Sequence, residues 1–510
     1  MPFPSLSQLA AKSVAQGIHD ETISLNFSLD TKTSNEIVRE LLKLNRNNFK
    51  KLEVYKDQLS ITEIDFRKCK IDAEAVRNLS NFHLVSLDFG FMIQLRHDFP
   101  YDPVDIVFLL NRATNNHSRK SIIHLGLSAG LEFFEGWEKE VSEILPNLQS
   151  IDLSCKKFNE RFRFSNFCTC FPNLLVLDIS YALGLSSLQG IRNLKNLPKL
   201  IMQFVQFDEV EGYKELSELK NLKYLDVSIT NFIRELREKR GQLETNSIEG
   251  MLEAGVRMES LEFLDCSWTS VTEYELETFA MIHPSLKTVV VMCTACDQTT
   301  ISGVQMLNMA SSSSLSECLE YALLTGRDDL ALDFIQDVFG NLKTRRRNLV
   351  NAELLQHITN AVLFVLRESF DEDTKFWTLK CYLESGLFEH ELSISLFSAD
   401  IPDMIELFYN VFHKNSSTSW QKEHAGLIFQ MLEATVNAVR PGILIPDRVS
   451  KFVFEKTLDL VGQFPENRTQ AVRIISQVQK WMTREQLLAM CWNFELVIRV
   501  MVFLDSPFVF

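Results

Sequence analysis

Cysteine and histidine are the residue types in this chain that could bind a metal or act as nucleophiles. The ten cysteines include two close pairs, Cys168/Cys170 and Cys293/Cys296. A structural zinc ion needs four ligands, so a single pair without a second one is weak support for a zinc site. The ten histidines are dispersed along the chain. We therefore expect no metal and no cofactor.

Several motifs that mark catalytic sites are missing from the sequence. The chain has no G-x-x-x-x-G-K-[ST] phosphate loop, no G-x-G-x-x-G and no H-E-x-x-H. The repeat architecture described below also rarely builds an enclosed pocket that excludes water. These observations favour a protein that is not an enzyme.

The most regular chemical feature is an aspartate that recurs inside a repeated apolar motif. Its members are Asp65, Asp88, Asp152, Asp178, Asp226 and Asp265. We expect them to project from adjacent strands on one face. One interpretation is that Asp belongs to a common L-D-x-S consensus and is solvated or bonded locally. The other is a concave acidic face for a basic partner, with Asp152, Asp178, Asp226 and Asp265 as candidate binding residues.

The motif that must position these aspartates is L-x-x-L-x-L, which predicts a leucine-rich-repeat solenoid. A short strand would point the apolar residues inward, and stacked neighbours would bury them. Most starts are 23 to 26 residues apart. Two gaps are longer: the one before Ile122 could hide a degenerate unit, and the one before Leu261 holds the charged stretch Arg234–Asn246, predicted to be an inserted helix or loop. The nine motifs begin at Ile61, Leu84, Ile122, Leu148, Leu174, Leu197, Leu222, Leu261 and Leu286.

After about Thr299 the strand motif disappears and long amphipathic segments begin. Helices at intervals near 40 residues suggest an armadillo- or HEAT-like array. The fold class is thus an α/β leucine-rich-repeat solenoid followed by an all-α helical array, which looks incomplete because FLDSPFVF gives no polar cap. The predicted helical segments are Leu315–Leu342 with a break near Gly326, Ala352–Phe370, Trp377–Phe388 in the same register, Met404–Phe412, Trp420–Val439, Arg448–Phe464 and Thr469–Phe503.

The N-terminal residues predict two further helices. Pro4–Gly17 carries a capping box in Ser5 and Gln8, and Ser34–Leu44 has a possible one in Thr33 and Glu36. The first helix either caps the solenoid or docks a partner. We divide the chain into an N-terminal helical docking region (1–47), a leucine-rich-repeat domain (48–299) and an armadillo-like domain (300–510). On one face of the first helix lie Leu6, Leu9, Ala10 and Val14.

Composition and charge exclude several classes of function. A net charge of −15 argues against a nucleic-acid partner, although Lys343–Arg347 is locally basic. No run of about 18 apolar residues predicts a membrane span, and the N-terminus is a poor signal peptide. We expect an intracellular protein, cytoplasmic or nuclear, with reduced cysteines.

Three stretches give the chain a family resemblance. FPNLLVLDIS with LGLSSLQGIRNLKNL (Phe171–Leu197), MLEAG with LEFLDCSWTSV (Met251–Val271) and HPSLKTVV (His283–Val290), together with the helical second half, resemble the Zyg eleven family. Members of this family are substrate receptors of cullin-two RING ubiquitin ligases. The likeness runs from the N-terminus to roughly residue 340.

The resemblance implies that the N-terminal helix binds elongin C through Ser5, Leu6, Leu9, Ala10 and Val14, and that a cullin contacts the following region. Ala10 stands where the family usually has Cys, and Phe27–Leu44 lacks the usual proline. In the family's armadillo half, a Trp-Asn-x-x-Asp helix recognises N-terminal glycine. Trp492-Asn493 is followed by Leu496 at the Asp position, so no such site is assigned.

The leading hypothesis is therefore a non-catalytic, substrate-recruiting subunit of a cullin-RING ubiquitin ligase. Its partners would be elongin C, a cullin and an unidentified protein substrate. The alternative is a diverged protein-binding scaffold, or an enzyme regulator, that has no ligase docking and binds through the aspartate column.

Overall fold

The computed structural model places the chain in two compact units, residues 1–306 and 307–510. The residues that the structure describes are 6–45, 48–67, 73–90, 104–128, 132–207, 209–230, 246–311, 314–344, 352–369, 371–389, 391–397, 400, 403–405, 407–408, 418–439, 447–481 and 485.

A parallel sheet of ten short strands runs through the first unit in strict sequence order. In each of β1–β9, the middle residue is the second apolar residue of the predicted motif, and its side chain is buried. The prediction of a leucine-rich-repeat solenoid is confirmed for the described residues between 61 and 291. The strands are β1 (Glu63–Asp65), β2 (Ser86–Asp88), β3 (His124–Gly126), β4 (Ser150–Asp152), β5 (Val176–Asp178), β6 (Lys199–Ile201), β7 (Tyr224–Asp226), β8 (Phe263–Asp265), β9 (Thr288–Val290) and β10 (Gln305–Leu307).

The core of this unit is the stack of motif leucines. Leu174, Leu177 and Ile179, for example, are all fully buried, and their counterparts in neighbouring repeats continue the same column. Burying one such side chain contributes roughly 1.5 to 3 kcal/mol. Because side chains alternate along a strand, the two residues that flank each central leucine face the other side of the sheet.

Helices and 3-10 turns return the chain between strands. The α-helices of the first unit are α1 (Leu6–His19), α2 (Thr31–Leu44), α3 (Ala73–Leu79), α4 (Ile106–Ala113), α5 (Asn116–Ser121), α6 (Trp137–Ile144), α7 (Phe164–Cys170), α8 (Ser247–Glu253) and α9 (Glu273–Ile282). The 3-10 helices are Asn48–Tyr55, Ile191–Asn193 and Val210–Glu218.

In the described residues of the first long gap between motifs lie two helices, α4 and α5. Asp105 caps α4 by accepting a hydrogen bond from the Phe108 backbone, and Asn115 caps α5 in the same way through His117 and Ser118. Val104 also forms a parallel bridge with Phe133. Of the second gap, Arg234–Asn246, only Asn246 lies within the described residues, and it caps α8.

The sequence did not predict the tenth strand. The Gln305 backbone N–H donates to the Lys287 carbonyl, which places β10 next to β9. At the motif positions around this strand, Gly303 and Asn308 stand where the first and third apolar residues would be expected. Only Met306 keeps the apolar type.

The two N-terminal helices differ slightly from their predicted bounds. Helix α1 continues past Gly17 to His19, and α2 begins at Thr31 rather than Ser34. The N-cap of α2 is Asp30, which accepts a hydrogen bond from the Thr33 backbone at 3.0 Å. The predicted capping box of Thr33 and Glu36 was therefore one turn too late.

The second unit is helical in its described part. Its helices are α10 (Ser314–Leu324), α11 (Asp328–Thr344), α12 (Ala352–Glu368), α13 (Glu372–Ser385), α14 (Glu391–Phe397), α15 (Thr418–Ala438), α16 (Asp447–Gln463) and α17 (Arg468–Val478), with 3-10 turns at Leu387–Glu389, Pro465–Asn467 and Gln479–Trp481. The predicted break between α10 and α11 occurs at Gly326, whose φ is +72°.

Helix α13 corrects one prediction in this unit. The sequence suggested that Trp377–Phe388 continues the register of the preceding helix, but α13 is separate. Asp371 begins it by accepting a hydrogen bond from the Thr374 backbone at 2.8 Å. Gly386, with a φ of +74°, ends it.

Candidate protein-binding surfaces

Helix α1 is anchored through one face. Ala11, Ala15 and Ile18 are buried against the rest of the first unit. At the end of the helix, the His19 ring bonds the Asn48 side-chain oxygen at 3.1 Å, and Lys51 donates to the His19 carbonyl at 2.7 Å. The helix is thus fixed at its C-terminal turn.

Of the predicted elongin-binding residues, Ala10 and Val14 have described side chains, and they lie on a neighbouring face of α1. Ala10 is exposed, and Val14 is half-buried and packs against the core. Leu6 and Leu9 belong to α1, but their side chains lie outside the described part of the structure, as does all of Ser5. A partner could contact Ala10 fully and Val14 only over its exposed part.

The aspartate column lies on the sheet face opposite the leucine core. Parallel pairing places Asp65 beside Asp88, Asp152 beside Asp178, and Asp226 beside Asp265. Each carboxylate accepts a hydrogen bond from the backbone N–H two residues later, at 2.7 to 3.0 Å. The donors are Arg67, Gly90, Ser154, Ser180, Ser228 and Ser267.

This local bond gives the aspartate a structural role in the turn after each strand. Without it, a backbone donor at the strand end would lose its partner. The geometry favours the interpretation in which Asp bonds its own turn. It does not exclude a second use, because one carboxylate can accept more than one hydrogen bond.

The members of the column differ in exposure. Asp265 and Asp226 are buried, and the Ser267 and Ser228 hydroxyls bond them as well as the backbone. Gln203 donates a further hydrogen bond to Asp226 at 2.7 Å. The structure therefore does not present these two predicted binding residues to a partner.

Asp152 and Asp178 are half-exposed and adjacent. The Ser128 hydroxyl donates to Asp152 at 3.1 Å. Within the described residues, neither carboxylate forms an ion pair. Burial, and then the charge of Asp152, raise the pKa of Asp178 to about 7, against hydrogen bonds from Ser180 that lower it.

At the N-terminal end of the column the charge is compensated. The Nη2 atom of Arg67 lies 2.6 Å from Asp65 Oδ2, and its Nε atom lies 3.3 Å from Asp88 Oδ2. Burial, and then Asp152 and Asp65, nevertheless raise the pKa of Asp88 to about 7, while Arg67 acts to lower it. At Gly126, an added Cβ would lie 2.2 Å from the Asp88 carboxyl carbon, so only glycine fits there.

The turn residues after the strands form a second column beside the aspartates. Cys155, Tyr181 and Phe204 are half-exposed and adopt left-handed backbone conformations, with φ of 57°, 57° and 58°. Their backbone N–H groups bond the carbonyls of the next repeat. The Tyr181 and Phe204 rings stack with centroids 5.8 Å apart.

One motif of catalytic type went unnoticed in the sequence. Residues Gly126–Gly130 read G-x-S-x-G, the pattern of a serine nucleophile elbow. Ser128 is buried, and its hydroxyl bonds Asp152 and the Ser154 hydroxyl rather than a histidine. Since a serine nucleophile needs a base at hydrogen-bond distance, this geometry gives Ser128 a structural role in the turn.

The close cysteine pairs show no metal geometry. The side chains of Cys168, Cys293 and Cys296 are buried, and that of Cys170 is half-buried. Across the described part of the chain, no three His, Cys, Asp or Glu side chains converge as metal ligands. None of the described helices is both long and apolar enough to cross a bilayer.

Comparison with known proteins gives one relative in sequence. Gastrulation-defective protein 3 of Caenorhabditis elegans is 29% identical over 291 residues, which cover 56% of this chain and 39% of that protein. The chain thus matches well under half the length of this relative. No family model matches the chain.

Two solved structures are similar over part of the chain. An internalin of Listeria monocytogenes aligns with a TM-score of 0.29 and 12% identity, covering 55% of this chain and 77% of its own. The complex of Rad7 and Elc1 in yeast aligns with a TM-score of 0.26 and 15% identity, covering 59% and 93%.

Proposed function

We propose that the chain is a Zyg-eleven-like, non-catalytic substrate receptor of a cullin-RING ubiquitin ligase. Helix α1 would bind elongin C, the region around α2 would contact the cullin, and the solenoid would hold a protein substrate inside the cell. The observation that carries this proposal is the geometry of α1. One face anchors the helix, and Ala10 on the adjacent face stays exposed.

An anchored but partly open helix suits partner docking. Ala11, Ala15 and Ile18 hold α1 in place, so a partner need not order the helix when it binds. Small residues at an interface allow close approach of a partner, and Ala10 is the exposed small residue at the predicted contact. Binding through this face leaves the sheet available for a substrate.

Sequence likeness supports the family assignment. The three resembling stretches all fall in the solenoid: the first contains β5 and ends just before β6, the second runs from within α8 past β8, and the third contains β9. The likeness to Gastrulation-defective protein 3 covers more than half of this chain. Binding of elongin C, a cullin and a substrate by this chain is proposed, since the matched region covers 39% of that relative.

We also propose that the second unit is an armadillo-like array. Helices pack there against the next helix but one: α10 against α12, and α11 against α13. Alternate packing of this kind is typical of helical repeats that stack along one axis. Thr359 and Tyr382 join α12 to α13 by a buried hydrogen bond of 2.8 Å.

The test is a pull-down of the intact chain with elongin C. We expect wild-type protein to retain elongin C, and Leu6→Ala to reduce retention about tenfold or more by removing an apolar contact. Lys12→Ala is the matched control, because Lys12 is exposed on the same helix. Failure of the wild type to retain elongin C, or equal retention by Leu6→Ala, would sink the ligase proposal.

A scaffold or enzyme regulator without ligase docking is the second candidate. The half-exposed pair Asp152 and Asp178 favours it, since this pair offers a binding surface that does not depend on α1. Recovery of a protein partner by wild type and by Leu6→Ala alike, without elongin C, would support this candidate.

A further inference from the structure

We infer that the sheet face opposite the leucine core at β4–β6, with the turns after β5 and β6, binds an arginine side chain on a basic segment of a partner protein. The surface comprises Asp152, Asp178, Tyr181 and Phe204 and is called here the acidic–aromatic patch. This deepens the proposed function by giving the substrate-holding surface a partner class, although the patch could serve a scaffold equally.

Within the described residues, no cation forms an ion pair with either carboxylate of the patch. Asp152 and Asp178 are register partners on adjacent parallel strands. Their known hydrogen bonds come from Ser128, Ser154 and Ser180, all uncharged donors. Further along the column, Asp226 adds a third carboxylate whose charge is felt at Asp178. A cation bound here would relieve this repulsion.

The aromatic pair lies in the turns that follow β5 and β6. Tyr181 follows Asp178 by three residues, in the turn at the end of β5. The Cys155 thiol in the preceding turn is close enough to both Asp152 and Asp178 that their charges raise its pKa, after the larger effect of burial. The turns are held side by side by hydrogen bonds from Cys155 to Ser180 and from Tyr181 to Gln203.

Paired carboxylates next to half-exposed rings suit arginine more than lysine. A guanidinium is planar, bonds a carboxylate through two parallel N–H groups and stacks on an aromatic face. The chain itself contains an arginine–carboxylate pair of this kind at the N-terminal end of the aspartate column, where Arg67 donates to Asp65 through two nitrogens. In the patch, that arginine would come from the partner.

The contrast with the buried members of the column supports this location. Asp226 and Asp265 are covered, and hydroxyl and amide donors from the chain bond them. Asp65 and Asp88 already have Arg67. Asp152 and Asp178 are the members that combine exposure with the lack of an ion pair in the described residues.

The test measures binding of the full-length chain to the acetylated peptide (Gly-Arg-Val)4 by fluorescence anisotropy, with (Gly-Lys-Val)4 and (Gly-Gln-Val)4 as comparison peptides. We expect the arginine peptide to bind several-fold more tightly than the lysine peptide. Asp152→Asn/Asp178→Asn should weaken it about tenfold or more. Phe204→Ala should weaken it about threefold.

The control is Glu253→Gln/Glu259→Gln, which removes the same charge at exposed sites outside the patch. It should leave the affinity within about twofold of wild type. Equal losses in both double variants would show general charge attraction and overturn the inference. So would equal affinity for the arginine and lysine peptides.

Two further measurements keep the inference falsifiable and separate it from the ligase proposal. If the double variant unfolds, Asp178→Asn alone replaces it, since the amide oxygen can still accept the Ser180 bond. The patch variants should retain elongin C as wild type does, and Leu6→Ala should bind the arginine peptide normally. If the wild type fails to bind elongin C but still prefers the arginine peptide to the lysine peptide, only the ligase proposal is refuted. If it binds elongin C but does not prefer the arginine peptide, only the inference about the patch is refuted.

Discussion

Asp88 and Asp178 occupy the same position of two repeats but have different neighbours. Burial raises the pKa of both carboxyls to about 7. Arg67 lies 3.3 Å from Asp88, whereas Asp178 forms no ion pair within the described residues. The repeat motif therefore fixes where a carboxylate stands, and side chains of adjacent turns decide whether its charge is compensated. An uncompensated position is where a partner gains most from supplying a cation.

The largest expected effect comes from closing the space around Asp88. Gly126→Ala would place a Cβ 2.2 Å from the Asp88 carboxyl carbon. The carboxylate would have to move and lose its bond to the Gly90 backbone, so we expect the free energy of unfolding to fall by about 2 to 3 kcal/mol. Urea unfolding measures it.

The matched control for that variant is Gly462→Ala. Gly462 lies in α16, and a Cβ there would meet no atom within 4 Å. Alanine has the higher helix propensity, so this variant should be neutral or slightly more stable. If Gly126→Ala were as stable as the wild type, Asp88 would be able to move at no cost. That result would weaken the comparison between Asp88 and Asp178.

The next effect comes from removing the cation at the compensated end. Arg67→Gln leaves Asp65 and Asp88 without their partner, and we expect a loss of about 1 to 2 kcal/mol at pH 8. The loss should shrink at pH 5, because Asp88 is then protonated and no longer attracts Arg67. Arg161→Gln, from an exposed pair with Glu135, is the control and should cost only a few tenths of a kcal/mol.

The smallest effect concerns Asp178, which has no ion pair within the described residues. Here the substitution should raise the free energy of unfolding. The pKa of Asp178 is about 7 when folded and 3.8 ordinarily, so the folded state holds its proton more tightly. Stability attributable to this group is present at low pH and falls as pH rises from about 4 to about 7. Asp178→Asn removes that loss. Because solvent reaches the half-exposed carboxylate and screens its charge, we expect a gain of only about 1 kcal/mol at pH 8, and none at pH 4.

Comparison with Asp88→Asn sharpens this prediction. That variant also removes a carboxylate of raised pKa, but it gives up the attraction to Arg67, so it should gain less at pH 8. Thermal unfolding across pH 4 to 8 compares the three proteins. If Asp178→Asn kept the wild-type pH profile, Asp178 would not carry uncompensated charge.

The strands of the solenoid could be predicted because their signal is local and repeated. In the repeat that contains β5, Leu174, Leu177 and Ile179 are buried as the motif requires. Strand β10 escaped prediction because Gly303 and Asn308 replace two of the three apolar residues. It pairs through its backbone, as shown by the Gln305 bond to Lys287, and a backbone bond leaves no residue pattern.

The candidate site could be predicted only in part. The same L-D-x-S pattern contains a half-exposed Asp178 in one repeat and a buried Asp226 in another. What separates them includes Gln203 of the neighbouring repeat, which bonds Asp226 from a distance of 23 residues in sequence. Likewise, the apolar face of α1 was identified, but its buried residues are Ala11, Ala15 and Ile18, with Ala10 left exposed. Such differences depend on contacts between elements, and periodicity within one element does not show them.

Hydrogen exchange of the full-length chain, with and without elongin C, tests the proposed receptor role most directly. We predict that elongin C slows exchange in α1, residues 6–19, and leaves the turns after β4 and β5 unchanged. Bound elongin C would reduce opening of the helix, whereas the acidic–aromatic patch would remain available to its partner. Unchanged exchange in α1 at saturating elongin C, or protection confined to the sheet, would contradict the account.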